Sequence, residues 1–144
     1  MNKIQINENF SVSEQITVDE IKSLADDGVK VVICNRLDGE ETNQISCAEI
    51  KAAAGACGID FVHIPVPGRV IPEETLNEFV KVIDSCNDKI HAYCRTGTRS
   101  SIFWGLSQAR SHSANEVITN AKSLGINLTT VADQIENVCN KHSG

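Results

Sequence analysis

The sequence lacks the features that would place a protein in a nucleic-acid-binding or membrane class. Basic residues are in the minority, since 13 lysines and arginines stand against 19 aspartates and glutamates for a net charge of -6. Because nucleic acid is bound mainly through positive charge, this balance argues against a nucleic-acid partner. No apolar run approaches the length of a membrane span, and residues 1–10 show no secretory signal. We therefore expect a cytoplasmic protein that does not bind membranes.

A metal-binding pattern is also missing from the sequence. The chain has six cysteines, at positions 34, 47, 57, 86, 94 and 139, but no Cys-x-x-Cys pair and no histidine at a matching distance. We expect neither a metal nor another cofactor. Apart from Cys94, the cysteines are interpreted as buried thiols in a reducing compartment, and a disulfide between two of them remains an alternative.

Helices and strands are predicted to alternate along the whole chain. Apolar or alternating segments favour strands at residues 29–34, 59–66 and 89–94, with one or two short strands within residues 4–12. Capping boxes and helical spacing favour helices at residues 17–28, 46–58, 72–83, 101–109, 113–124 and 129–139. No repeat, low-complexity tract or linker interrupts this order, so residues 1–144 are predicted to form one domain.

This alternation predicts an α/β fold whose central, mostly parallel sheet is flanked by helices on both faces. Parallel strands end at a common edge of the sheet, and open α/β sheets bind ligands at that edge. Three loops leave the predicted edge, at residues 35–43, 65–72 and 94–100. Around Cys94 they would gather the charged residues Arg36, Asp38, Glu40, Glu41, Arg69, Glu73 and Glu74.

The loop Cys94–Ser100 joins a predicted strand to the start of a helix. Backbone N–H groups in such a loop converge on one point, where the helix dipole adds positive charge and favours an anion. We therefore predict that Cys94 is a thiolate nucleophile, that Arg99 clamps a bound oxyanion and that Gly97 lets the loop curl. Ser100 is predicted to donate a hydrogen bond to the thiolate. The other predicted substrate-binding residues are Arg95, Thr96, Thr98, Arg36 and Arg69.

Three segments of the chain resemble one bacterial family. Residues 31–40, 62–66 and 93–100 are similar, in order and spacing, to the phosphatase domains of beta-lactamase-hydrolase-like proteins, which are related in fold to dual-specificity protein tyrosine phosphatases. The resemblance implies a single tyrosine-phosphatase-like domain over residues 1–144. It also implies an anionic phosphate-ester substrate and a phosphocysteine intermediate on Cys94.

The spacing of the loop leaves a second activity open. Tyrosine phosphatases have a histidine before the cysteine and one residue more between cysteine and arginine, whereas here Tyr93 precedes Cys94 and four residues separate it from Arg99. This shorter loop also resembles the active loop of single-domain rhodaneses, which carry a persulfide. The alternative function is therefore a sulfurtransferase that draws on a sulfur oxyanion through a Cys94 persulfide.

The general acid of the phosphatase reaction has no clear counterpart in the sequence. Dual-specificity phosphatases place an aspartate in a loop that corresponds to residues 65–70, and this loop contains no aspartate. We predict that Asp38 takes this role, with Glu73 as a second candidate, because both follow strands at the same edge. If no acid is present, a third interpretation is a non-catalytic module that binds oxyanions.

Overall fold

Five short segments of the chain form one sheet in the computed structural model, which describes residues 1–142. The strands are β1 (Ile4–Asn7), β2 (Phe10–Ser13), β3 (Val29–Cys34), β4 (Asp60–His63) and β5 (Lys89–Tyr93). They lie in the order β1-β2-β5-β3-β4, so β5 is central. The strand pairs β2–β5, β5–β3 and β3–β4 are parallel. The edge strand β1 pairs with β2 in the antiparallel sense. The predicted mostly parallel sheet is confirmed.

Helices cover both faces of the sheet, as the alternation of strands and helices along the chain predicts. They are α1 (Val18–Asp26), α2 (Cys47–Ala56), α3 (Glu73–Ser85), α4 (Thr98–Gln108), α5 (Ala114–Ser123) and α6 (Ala132–His142), with a 3₁₀ turn at Thr129–Val131. Val32 and Cys34 of β3 pack in the core beneath α1 and α2, whereas Val31 and Ile33 pack in the core beneath α3 to α6. Because successive side chains of a strand point to opposite faces, β3 contributes to both cores. Within residues 1–142, no helix is long and apolar enough to cross a membrane.

Local sequence signals account for most helix starts. The capping boxes at Thr17 and Ser113 form both of their reciprocal hydrogen bonds, and Ser46 accepts a bond from the Glu49 backbone N–H. Among the boundaries that differ from the prediction, two lie at the predicted ligand-binding edge of the sheet. Strand β4 stops at His63, before the Pro65 that has no N–H to donate to a neighbour. Helix α4 begins at Thr98 rather than near residue 101, because its first turn is polar and its apolar spacing starts later.

Candidate active site

The thiol of Cys94 lies at the base of the loop between β5 and α4. Cys94 directly follows the central strand, and its backbone N–H donates to the carbonyl of Ser13 on the neighbouring strand at 3.4 Å. Its side chain is buried, and the Gly97 N–H donates to Cys94 Sγ at 3.1 Å. A backbone donor aimed at sulfur stabilises negative charge there, which suits a thiolate nucleophile.

Gly97 determines the curvature of this loop and leaves the N-terminus of α4 without a side-chain cap. It is the N-cap residue of the helix and has a φ of 90°, in the left-handed region that favours glycine. A Cβ at this position would lie 3.3 Å from the carbonyl carbon of Ser13. Because Gly97 has no side chain, it cannot cap the helix, and the backbone N–H groups of the first turn (residues 98–100) are left without a side-chain acceptor, which favours anion binding there.

Changing Gly97 to alanine is expected to distort the loop. The left-handed backbone costs an alanine roughly 1–2 kcal/mol, and the added methyl group also crowds Ser13. We expect a lower melting temperature and weaker binding of inorganic phosphate, both measurable by thermal denaturation with and without phosphate. Gly58, which also has a positive φ but no atom within 4 Å of a Cβ added there, is the matched control at the end of α2. Changing Gly58 to alanine should lower the melting temperature without selectively weakening phosphate binding.

Arg99 is held over the loop by a carboxylate from another segment of the chain. Its two terminal nitrogens bond the two oxygens of Glu40 at 2.6 and 2.8 Å, and Nη1 also donates to the Val66 carbonyl at 2.8 Å. The hydrogen bond to Glu40 and, to a smaller extent, the nearby Cys94 sulfur raise the pKa of Arg99, so its positive charge is fixed beside the sulfur. Loops 35–43, 65–72 and 94–100 thus meet at Arg99, as predicted.

Glu40 is the centre of this arrangement. The hydrogen bond from Arg99, with lesser contributions from the Leu37 N–H and from Arg36, lowers the pKa of the Glu40 carboxyl to about 2. The Leu37 N–H donates to Oε2 at 2.9 Å, and Arg36 Nε donates to Oε1 at 3.1 Å. Glu40 is therefore ionised at neutral pH and joins the two arginines.

Arg36 is a structural residue, and its predicted role in substrate binding is wrong. Its side chain is only 2% exposed. All three guanidinium nitrogens are engaged, with Glu40, with Gln15 Oε1 at 2.8 Å and with Glu41 Oε1 at 3.2 Å. A buried arginine with these partners cannot reach a substrate; instead it anchors the loop that carries Glu40.

The family of the chain follows from comparison with known proteins. The sequence profile of the phosphatase-like domain of beta-lactamase hydrolase-like protein matches residues 3–111. The chain belongs to this family. A curated beta-lactamase hydrolase-like protein from Agrobacterium fabrum is 34% identical over 109 residues, which are 76% of this chain and 25% of that protein. The chain therefore spans about a quarter of the length of the curated relatives that it matches.

Solved structures place this phosphatase-like domain in the tyrosine phosphatase fold. The crystal structure of a phosphatase candidate from Neisseria meningitidis Z2491 has 34% sequence identity and a TM-score of 0.84, covering 96% of this chain and 99% of that one. Tk-PTP in its active form has 20% identity and a TM-score of 0.76, covering 96% of both chains, and shows the fold alone. The predicted family and the predicted tyrosine-phosphatase-like fold are both confirmed.

Ser100 bonds Asn35 and not its predicted partner, the Cys94 thiolate. Its hydroxyl donates to Asn35 Oδ1 at 2.9 Å, while Asn35 Nδ2 donates to the Ile64 carbonyl at 2.9 Å. A serine hydroxyl has a single hydrogen to donate, so the predicted bond to the Cys94 thiolate is not present in this structure. Ser100 instead ties the first turn of α4 to the ends of β3 and β4.

Neither predicted general acid faces the loop. Asp38 Oδ1 accepts the backbone N–H of Cys47 at 2.8 Å, and this bond lowers the pKa of the Asp38 carboxyl. A carboxyl that caps a helix in its ionised form is a poor proton donor. Glu73, the first residue of α3, pairs with Lys141 of α6 at 2.9 Å, and both side chains are exposed. Both assignments as acid are wrong, because local bonds direct these side chains elsewhere.

The remaining predicted residues line the outside of the loop. Arg95 is 61% exposed and pairs with Glu41 at 2.8 Å, and the hydroxyls of Thr96 and Thr98 bond each other at 3.1 Å. A pocket of about 350 Å³ adjoins the loop. Its polar lining includes Arg69, Thr96, Thr98, Asn127, Thr130 and Glu14. Substrate binding by Arg95 and Arg69 thus stays a prediction.

The functional contact that sequence reasoning missed is the one between Glu40 and Arg99. Glu40 was expected near Cys94, but Asp38 and Glu41 in the same loop carry the same charge. The sequence therefore could not show which of the three carboxylates bonds Arg99. An ion pair of Arg36 with Asp38 or Glu40 was an alternative that the sequence left open, and the pair with Glu40 is present. Asn35, which holds Ser100, was also missed, since a buried amide leaves no pattern in the sequence.

Proposed function

We propose that this domain is a cysteine-dependent phosphatase that hydrolyses phosphate monoesters through a phosphocysteine on Cys94. The observation that carries the proposal is the convergence of three groups: the buried Cys94 sulfur, the Arg99 guanidinium and the uncapped first turn of α4. Such a site binds a tetrahedral oxyanion against a nucleophile, and the domain belongs to a phosphatase-like family.

The reaction needs two displacements at phosphorus. In the first, the Cys94 thiolate forms the S–P bond while the bond from phosphorus to the ester oxygen breaks, and the leaving group departs as an alkoxide or phenolate that takes a proton from water. In the second, water attacks phosphorus and gives up a proton to solvent, the S–P bond breaks, and phosphate and the thiolate are released. Three of the five N–H groups of the Arg99 guanidinium bond Glu40 and Val66, which leaves two for the sulfur and the phosphoryl oxygens.

The pocket beside the loop is the proposed place for the rest of the substrate. Arg69 is exposed and provides the arginine that lines this pocket. The apolar part of the lining comes from Ile4, Val12, Ile102 and Leu128. This combination suits an organic leaving group that carries a second anionic substituent. The enzyme as proposed therefore binds a substrate through two anion contacts, the loop and Arg69.

The leaving group is expected to control the rate strongly. Asp38 and Glu73 face elsewhere, and Glu40 is ionised and held by Arg99, so none of them supplies a proton to the departing oxygen. Without general acid assistance, which contributes about 10²–10⁴-fold, aryl phosphates should turn over much faster than alkyl phosphates. Steady-state rates for a series of phosphate esters with graded leaving-group pKa measure this dependence. Equal rates for aryl and alkyl esters would contradict it.

The four-residue spacing between Cys94 and Arg99 supports sulfur transfer as a second candidate, because it resembles the rhodanese loop. The two activities are separated by assaying one preparation for release of an aryl alcohol from its phosphate and for thiocyanate formation from thiosulfate and cyanide. Cys94-dependent release of the alcohol without thiocyanate supports the phosphatase. Cys94-dependent thiocyanate formation without phosphate release would replace it with the sulfurtransferase.

A further inference from the structure

Three metal-binding side chains lie together in a part of the structure that the proposed reaction does not use. Cys34 ends β3, Cys47 is the first residue of α2 and His63 ends β4. The two sulfur atoms are 3.7 Å apart, and a ring nitrogen of His63 lies within 4.8 Å of both. The spacing in the sequence gives no metal pattern, because the three residues come from separate elements that the fold joins.

The positions of these donors are set by the backbone. Cys34 and His63 are paired in the parallel register of β3 and β4. The orientation of the His63 ring is fixed by a 2.7 Å hydrogen bond from Nε2 to the Arg36 carbonyl. Cys47 is held at the start of α2, where Asp38 accepts its backbone N–H. The cluster is therefore built into regular structure and needs little rearrangement to bind an ion.

The chemistry and spacing of the cluster fit zinc. Thiolates and imidazoles are the preferred ligands of tetrahedral Zn²⁺, and two Zn–S bonds of about 2.3 Å at the tetrahedral angle place their sulfur atoms about 3.8 Å apart. The observed separation of Cys34 and Cys47 is 3.7 Å. Two sulfurs alone would also suit a disulfide, but the third donor, His63, favours a metal.

The surroundings of the cluster favour a cation. The Asp38 carboxylate, which accepts the Cys47 backbone N–H at 2.8 Å, places negative charge beside the cluster. The guanidinium of Arg36, two residues after Cys34, is committed to Glu40, Glu41 and Gln15. Cys34 is fully buried, whereas His63 is exposed and gives an ion a path from solvent.

We infer that Cys34, Cys47 and His63 bind one zinc ion, with a water at the fourth position. Binding releases the two thiol protons to solvent and changes no oxidation state. The ion would join both ends of the segment at residues 34–47, which carries Glu40 and through it holds Arg99. Zinc would thus stabilise the segment that positions the oxyanion clamp.

The test is a titration of the reduced, chelator-treated protein with Zn²⁺ in competition with a chromogenic chelator, and with Co²⁺ to record its spectrum. We expect one ion per chain, a higher melting temperature with zinc, and the sulfur-to-cobalt and visible bands of a tetrahedral thiolate site. His63→Gln should weaken zinc more than about 100-fold, beyond the loss that follows removal of an outer partner. Its exposed position keeps this variant folded. Cys34→Ser and Cys47→Ser should each weaken the sulfur-to-cobalt bands, and the double variant should abolish them.

The controls separate this site from the loop thiol and from a disulfide. Cys94→Ser and Cys139→Ser should bind zinc like the unsubstituted protein. Binding that disappears in Cys94→Ser, that persists in Cys47→Ser and His63→Gln, or that is absent from the reduced protein would each overturn the inference. None of these measurements depends on phosphatase activity, so the zinc site and the proposed function are tested independently.

Discussion

Changing Cys94 to serine is expected to lower the turnover of an aryl phosphate by at least about 1,000-fold while leaving phosphate binding in place. The serine oxygen can still accept the Gly97 N–H, and the first turn of α4 and Arg99 still surround the oxyanion. A hydroxyl is far harder to deprotonate than a thiol, so the nucleophile is lost and the anion site is kept. Stopped assays of turnover and calorimetric titration with phosphate measure the two effects.

The matched control is serine at Cys139, a half-buried thiol on α6. That variant should retain its full rate and its full affinity for phosphate. A Cys94→Ser protein with unchanged turnover would contradict both the phosphatase and the sulfurtransferase. Loss of phosphate binding together with activity would instead show that the sulfur itself maintains the loop.

Changing Glu40 to glutamine is expected to cost about 2–3 kcal/mol of unfolding free energy and most of the activity. The variant leaves the buried Arg36 with Glu41 as its one carboxylate partner and releases Arg99 from its bidentate charged contact. Denaturant unfolding and kcat/KM measure the two losses. Glu41→Gln is the matched control: Glu41 is 47% exposed, so its ion pairs with Arg36 and Arg95 should be worth at most about 1 kcal/mol. Equal effects of the two variants would contradict a special role for Glu40.

The stability contributed by the Glu40 charge should depend on pH. Its carboxyl has a pKa of about 2 in the folded protein against an ordinary value of 4.5, so the unfolded chain binds the proton first as pH falls. The difference in unfolding free energy between the unsubstituted protein and Glu40→Gln should therefore be complete above pH 4.5 and disappear as pH approaches 2. A difference that stays constant over this range would show that the carboxylate charge is not responsible.

Much of the fold can be predicted from local signals in the sequence. The capping boxes at Thr17 and Ser113 and the β-branched segment at Val29–Cys34 mark elements that form as expected. Because parallel strands end at one edge, the same reasoning brings Cys94 and Arg99 together with the loop that carries Glu40. These features depend on neighbours in sequence or on the general geometry of parallel sheets.

The pairing of individual side chains could not be predicted in the same way. Asp38 and Glu40 lie two residues apart in one loop, yet Asp38 bonds the start of α2 and Glu40 bonds Arg99. Which carboxylate reaches which partner depends on the turn between them and on how α2 packs, and these are set by the whole fold. For the same reason, the approach of Cys34 to Cys47 has no trace in their spacing.

The most direct test of the central claim is rapid acid quenching of the protein during turnover of an aryl phosphate, followed by mass spectrometry of the intact chain and its peptides. A phosphocysteine mechanism predicts a phosphoryl group on the peptide that contains Cys94 and none on the Cys94→Ser protein. Turnover with no phosphoryl adduct, combined with a sulfur adduct on Cys94 after exposure to thiosulfate, would contradict the account and assign the loop to sulfur transfer.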